Sequence, residues 1–186
     1  RPDIYVSVYG GPNLLFHNDG PSRDGRGWRF SNLAGVAGVT EPIASFGAFF
    51  FDYDNDGWLD LFVTGYGVYF GESMGGNVAA DYLGLPTKAE RCRLYRNRGD
   101  GTFDDVSKAM GVYKVVPTMG LDFGDLDNDG WLDFYTGTGT PDLGMLVPNR
   151  MFRNDGGKRF QDVTTAGNFG HLQKGHAIAF GDYDND

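Results

Sequence analysis

An all-β fold, built from repeats of about four short antiparallel strands, is what this sequence predicts, and three observations carry the prediction. The 186 residues include 30 Gly, 15 Phe, 10 Tyr and 3 Trp, a mixture suited to short aromatic strands joined by tight turns. A carboxylate-rich stretch recurs as "FDYDNDGWLD" at 51–60, "GDLDNDGWLD" at 124–133 and "GDYDND" at 181–186. A hairpin-like stretch recurs as "LLFHNDG…WRFSNL" (14–33), "RLYRNRGDGTFDDV" (93–106) and "RMFRNDGGKRFQDV" (150–163). Self-similarity of this kind marks a repeat architecture, in which each unit buries its faces only by stacking on a neighbour.

Taken along the chain, "PDIYVS" at the N-terminus reads as the strand that leaves an Asp loop, matching "LDLFVT" and "LDFYTG". In these copies Ile4, Leu61 and Phe134 fall on one face and Tyr5, Phe62 and Tyr135 on the other. Apolar residues on both faces mean a sheet covered on both sides. The hairpins align through Phe16, Tyr95 and Phe152, then Asn18, Asn97 and Asn154, then Phe30, Phe103 and Phe160, then Leu33, Val106 and Val163. Their turns are rich in Gly, Asp and Asn, the residues that tolerate positive φ. The strand entering each Asp loop is "AFFF", "LDF" or "AIAF", with Phe50, Phe123 and Phe180 two residues before the first Asp. The organisation that follows is a partial first repeat at 1–46, a second at 47–118 with an insertion at 65–91, a third at 119–175, and the first strand and half loop of a next repeat at 176–186. A short helical turn is expected inside the insertion, at Val78–Leu83, and this long loop is the best place for a partner site.

The Asp loops carry the chemistry. Asp52, Asp54, Asp56 and Asp60 occupy loop positions 1, 3, 5 and 9, with Gly57 allowing the bend at position 6 and the Trp58 carbonyl available at position 7. The second loop repeats the set as Asp125, Asp127, Asp129, the Trp131 carbonyl and Asp133. Like charges at this density repel unless a cation or raised pKa values offset them. Oxygen-only donors in a flexible loop favour Ca²⁺ over Mg²⁺, and Zn²⁺ would want His or Cys. An EF-hand would need a Glu at position 12, where Val63 and Thr136 stand, and flanking helices where these flanks are strand-like. Metal-free acidic turns leave the shared spacing unexplained, and a proton-sharing catalytic pair should occur once rather than in every repeat.

The motifs "FDYDNDGWLD", "FGDLDNDGWLD" and "AFGDYDND", with hairpins of the "LYRNRGDGTFDDV" type, resemble the FG-GAP/VCBS repeat family over nearly the whole chain. That resemblance implies calcium loops, a β-propeller fold and a secreted or cell-surface location. The segment Gly65–Arg91, the long hairpin Asp19–Arg29, and Phe51 in place of the usual Gly depart from the pattern.

The ends are complementary: Arg1-Pro2-Asp3 matches Trp58-Leu59-Asp60, while Asp182, Asp184 and Asp186 begin a further loop. Asp3, Asp182, Asp184 and Asp186 are therefore candidate ligands of split sites. Either the chain is an excerpt of a longer one, or copies pair head to tail into a ring or filament.

A formal charge of -9 argues against nucleic acid and anionic membrane surfaces, and no apolar run approaches the roughly 20 residues of a membrane span. "RGD" at Arg98–Asp100 lies in the repeated turn and reads as turn chemistry, and His17, His171 and His176 share no metal-like spacing. Cys92 lacks a partner signature for nucleophilic catalysis. The expectation is a calcium-binding, non-catalytic structural or adhesion module, whose partners are neighbouring repeats, further copies, or a protein or glycan ligand. A lectin using Trp58 and Trp131 as sugar platforms, or the propeller part of a larger secreted enzyme, are the rivals.

Overall fold

The computed structural model describes residues 1–67, 73–139 and 146–183. Eleven strands form three antiparallel sheets among these residues. The first sheet holds β1 (Ile4–Val6), β2 (Leu14–Pro21) and β3 (Trp28–Asn32), followed by the short helix α1 (Ala34–Ala37). The second has the order β4 (Ser45–Phe51), β5 (Asp60–Gly65), β6 (Arg93–Asn97), β7 (Phe103–Asp105), with the helix α2 (Met74–Tyr82) between β5 and β6. The third repeats it with β8 (Thr118–Gly124), β9 (Asp133–Thr138), β10 (Arg150–Asn154) and β11 (Phe160–Asp162). Each sheet is a meander of consecutive neighbours, and the fold is all-β with propeller-type repeats.

The alternation anticipated from the sequence sets the packing. Leu61, Val63 and Tyr95 pack with Leu15, Ala34, Ala37 and Val39, joining the first and second sheets. On the opposite face of the second sheet, Phe51, Phe62 and Leu94 pack with Phe134, Phe152 and Phe160 of the third. Phe134 is enclosed by rings, with centroids 4.6 Å from Phe62, 4.8 Å from Phe152 and 5.0 Å from Phe160. Such aromatic contacts add to the area term, which alone stabilises by roughly 1.5–3 kcal/mol for a fully buried large apolar side chain.

A third repeated device was not read from the sequence. After each hairpin the chain closes a tight turn through a left-handed residue, Gly38 (φ 79°), Gly111 (φ 76°) and Asn168 (φ 61°). The residue that follows returns its N–H to the chain five positions back: Val39 to the Ala34 carbonyl, Val112 to that of Ser107, and Phe169 to that of Thr164. Val39 and Val112 are then buried in the core, one in each of its two main clusters.

Two expectations need correction. "AIAF" (177–180) forms no strand and no ladder among the described residues. Instead 175–180 runs along β8 and β9, close against Gly120, Gly124 and Gly137, and the Phe180 N–H donates to Asp122 Oδ2 (3.1 Å). The helix of the insertion begins four residues before the expected Val78, at Met74, with Ser73 as its N-cap accepting from the Gly76 N–H. It is fixed by Met74 and Val78 packing with Ala89, Val115 and Val147, and by the Arg91–Asp81 ion pair.

Candidate metal centre

Both complete Asp loops hang between strands of one sheet, 51–60 between β4 and β5 and 124–133 between β8 and β9. They share one hydrogen-bond pattern. Asp52 accepts from the Asp56 N–H at Oδ1 (3.1 Å) and from the Gly57 N–H at Oδ2 (2.9 Å), and Asp56 Oδ1 accepts from the Trp58 N–H (2.9 Å). Asp125 repeats this with Asp129 and Gly130 at 3.1 and 2.8 Å, and Asp129 with Trp131 at 3.0 Å. The coil demands two left-handed residues per loop: Asn55 (φ 54°) and Gly57 (φ 87°), then Asn128 (φ 56°) and Gly130 (φ 86°). Asn is the side-chain-bearing residue best suited to that conformation, a role for position 4 that the sequence allowed but that was not read from it.

Position 9 is a latch. Asp60 and Asp133 are both 0% exposed. Asp60 Oδ1 accepts from the Asn97 N–H of β6 (2.8 Å) and Oδ2 from the Tyr53 N–H (3.1 Å). Asp133 does the same with Asn154 (2.7 Å) and Leu126 (2.9 Å). In the first sheet Asp3 accepts from the Asn18 N–H (2.8 Å) and sits 3.2 Å from His17 Nδ1. Burial pushes Asp60 up to about 7 against the pull of its two N–H donors, and burial also raises Asp133.

The structure gathers Asp52, Asp54 and Asp56 in one loop, and Asp125, Asp127 and Asp133 in the other, each set offering carboxylate oxygens within 4.8 Å of one another. Asp60 and Asp129 lie outside these groups, Asp60 on its backbone donors and Asp129 on Trp131 and Arg153. Asp182 is exposed beside the second loop, in a cleft of about 490 Å³ lined also by Asp125 and Asn128; Asp184 and Asp186 lie outside the described residues. Trp58 covers Gly99 and Trp131 covers Gly157, so both indoles seat on hairpin turns.

The donor set fits a hard divalent cation. Asp54 Oδ1 is buried without a hydrogen-bond partner, and burial first, then the neighbouring Asp56 charge, raises the pKa of this carboxyl. An unpartnered carboxylate oxygen among other carboxylates costs free energy that a coordinated cation would offset.

Neighbouring loops also touch. Asn55 Nδ2 donates to the Gly130 carbonyl (3.0 Å) and Asn154 Nδ2 to the Tyr53 carbonyl (2.8 Å). Tyr53 thereby fills the space beside Phe160. The corresponding place between the first and second sheets is a cleft of about 520 Å³ lined by Asn97, Phe103 and Trp58. The remaining candidates fall into structural roles. Arg98 pairs with Asp104 (2.5 Å), and Asp100 turns the chain by accepting from the Thr102 N–H (2.9 Å). The Cys92 thiol is fully buried and pushed up to about 11 by desolvation, leaving it protonated at neutral pH.

Comparison with known proteins bears on the repeats. A family model described as an FG-GAP-like repeat matches residues 1–63 and 76–136. Cartilage acidic protein 1 of Xenopus tropicalis is 33% identical over 97 residues, which are 50% of this chain and 14% of that protein. The chain thus matches only a small part of that relative's length.

Proposed function

The chain belongs to the FG-GAP-like repeat family, and on that premise we propose that it is a calcium-stabilised, non-catalytic repeat module serving an extracellular structural or adhesive role. One observation carries the reading: two loops in successive sheets each bring three carboxylates together, Asp52, Asp54 and Asp56 in one and Asp125, Asp127 and Asp133 in the other, with a buried oxygen of Asp54 that no protein donor satisfies. Asp52, Asp54, Asp56 and the Trp58 carbonyl would hold one ion, with Asp60 fixing the loop to β6. Asp125, Asp127, Asp129, Asp133 and the Trp131 carbonyl would hold the other. Bound calcium supplies charge neutralisation, and what it fastens is the junction between strands and between neighbouring loops.

The extracellular assignment rests on family membership and on the similarity to a cartilage protein. Loops of this kind commonly bind calcium in the range of about 10⁻⁴–10⁻³ M, which extracellular calcium can fill. The partners in this reading are neighbouring repeats or further copies of the chain. No helix among the described residues is long and apolar enough to cross a membrane.

Thermal unfolding with and without calcium tests the reading. With a dissociation constant of about 10⁻⁴ M, 10 mM calcium adds about 2.7 kcal/mol per site, a rise in Tm of about 5–10 °C per site for a chain of this size. Identical melting in calcium and in chelator would remove the proposal.

A further inference from the structure

Each Asp loop faces a cation supplied by its own sheet. Arg96, in β6, places Nε 2.9 Å from Asp54 Oδ2 and Nη2 3.5 Å from Asp56 Oδ2. Arg153, in β10, places Nε 2.5 Å from Asp127 Oδ2 and Nη2 3.2 Å from Asp129 Oδ2. The two arginines hold the same register: Tyr95 pairs with Leu61 beside Arg96, and Phe152 pairs with Phe134 beside Arg153. Both forks grip loop positions 3 and 5, and at position 5 the other oxygen is already committed to the backbone N–H of the Trp. At position 3 of the first loop the other oxygen is the buried, unpartnered Asp54 Oδ1. Arg96 thus takes Asp54 Oδ2 and Asp56 Oδ2 and leaves the buried Asp54 Oδ1 unpartnered.

We propose that Arg96 and Arg153 are built-in counter-cations that set how tightly their loops hold calcium. The inference rests on the calcium reading above. A guanidinium beside four carboxylates relieves their mutual repulsion when no ion is present, and so keeps the loop folded. Once a divalent ion sits among the same carboxylates, the guanidinium remains attracted to them but is repelled by the ion. Stabilising the ion-free loop more than the loaded one weakens binding by the difference, because linkage is reciprocal. Arg96 is about half exposed, with 48% of its side chain accessible, so solvent screens the effect to a modest size. The two arginines therefore trade affinity for a scaffold that survives between binding events.

Calcium titration calorimetry on the full chain tests this, alongside melting in chelator. The Arg96→Gln/Arg153→Gln variant should bind calcium about three- to tenfold more tightly and melt at a lower temperature in chelator. Arg96→Lys/Arg153→Lys keeps the charge and should stay within about twofold of the wild type. Arg153→Gln alone should tighten only one of two sites, the first loop serving as an internal control. Unchanged or weaker binding in the Gln variants would overturn the proposal, the weaker outcome identifying the arginines as positioning groups whose loss misdirects the carboxylates. A Lys variant as altered as the Gln variant would overturn it too. A wild-type chain that takes up no calcium would instead remove the calcium reading, and this proposal with it.

Discussion

Asp60 and Asp133 each accept at both carboxylate oxygens from backbone N–H groups in two different places, the start of their own loop and the next strand of the sheet. Asparagine in that position turns one acceptor into a donor facing a donor, a loss of about 1–3 kcal/mol. Asp60→Asn should therefore destabilise the chain in urea by about that amount even in chelator. Asp56→Asn keeps an oxygen for the Trp58 N–H and should leave ion-free stability within about 1 kcal/mol, while lowering the response to calcium. Equal losses for the two variants in chelator would contradict the division of labour between latch and ligand. The candidate carboxylates were legible from spacing alone, since 1, 3, 5 and 9 recur. The latch was not, because it depends on which N–H of β6 comes opposite Asp60. Nor were Arg96 and Arg153 legible as loop partners: they lie dozens of residues from their carboxylates, and only strand pairing brings them together.

At the scale of the element, the strands that sequence placed well are those whose two faces could both be assigned. Leu61 and Phe62 point to different neighbours, as alternation requires. Phe134 is the element-level test: it is 0% exposed and ringed by aromatics from two sheets. Phe134→Ala should cost about 3–5 kcal/mol, read as a lower urea midpoint at unchanged slope, whereas Phe134→Leu should cost less than half as much. A loss below about 1 kcal/mol for the alanine variant would mean the two sheets are not packed through this ring. The error at "AIAF" has a related origin. Its apolar pattern is that of a strand, but a strand is defined by a partner, and backbone contacts with Gly120 and Gly137 hold this segment in place without a ladder. The closing turns were missed for a different reason: Gly38 and Gly111 gave the signal, but the third copy uses Asn168, so the pattern does not repeat letter for letter.

Across the whole molecule, three sheets stack, and the first Asp loop leans on the loop and hairpin of the next sheet through Asn55 to Gly130 and Asn154 to Tyr53. The outward face of the first sheet presents Ile4 (49% exposed) and Phe30 (40% exposed), whose counterparts Leu61 and Phe134, and Phe160, are buried between sheets. That face has the character of the two interfaces already formed, which accords with neighbouring repeats as partners. The repeat architecture was legible because identical chemistry had to recur wherever a sheet met a sheet. Long-wavelength anomalous diffraction from crystals grown in calcium tests the central claim most directly. The account predicts two anomalous peaks, each about 2.3–2.6 Å from its oxygen ligands, one among Asp52, Asp54 and Asp56 and one among Asp125, Asp127 and Asp133. Loops that hold only water, in a chain whose three sheets remain intact, would contradict it.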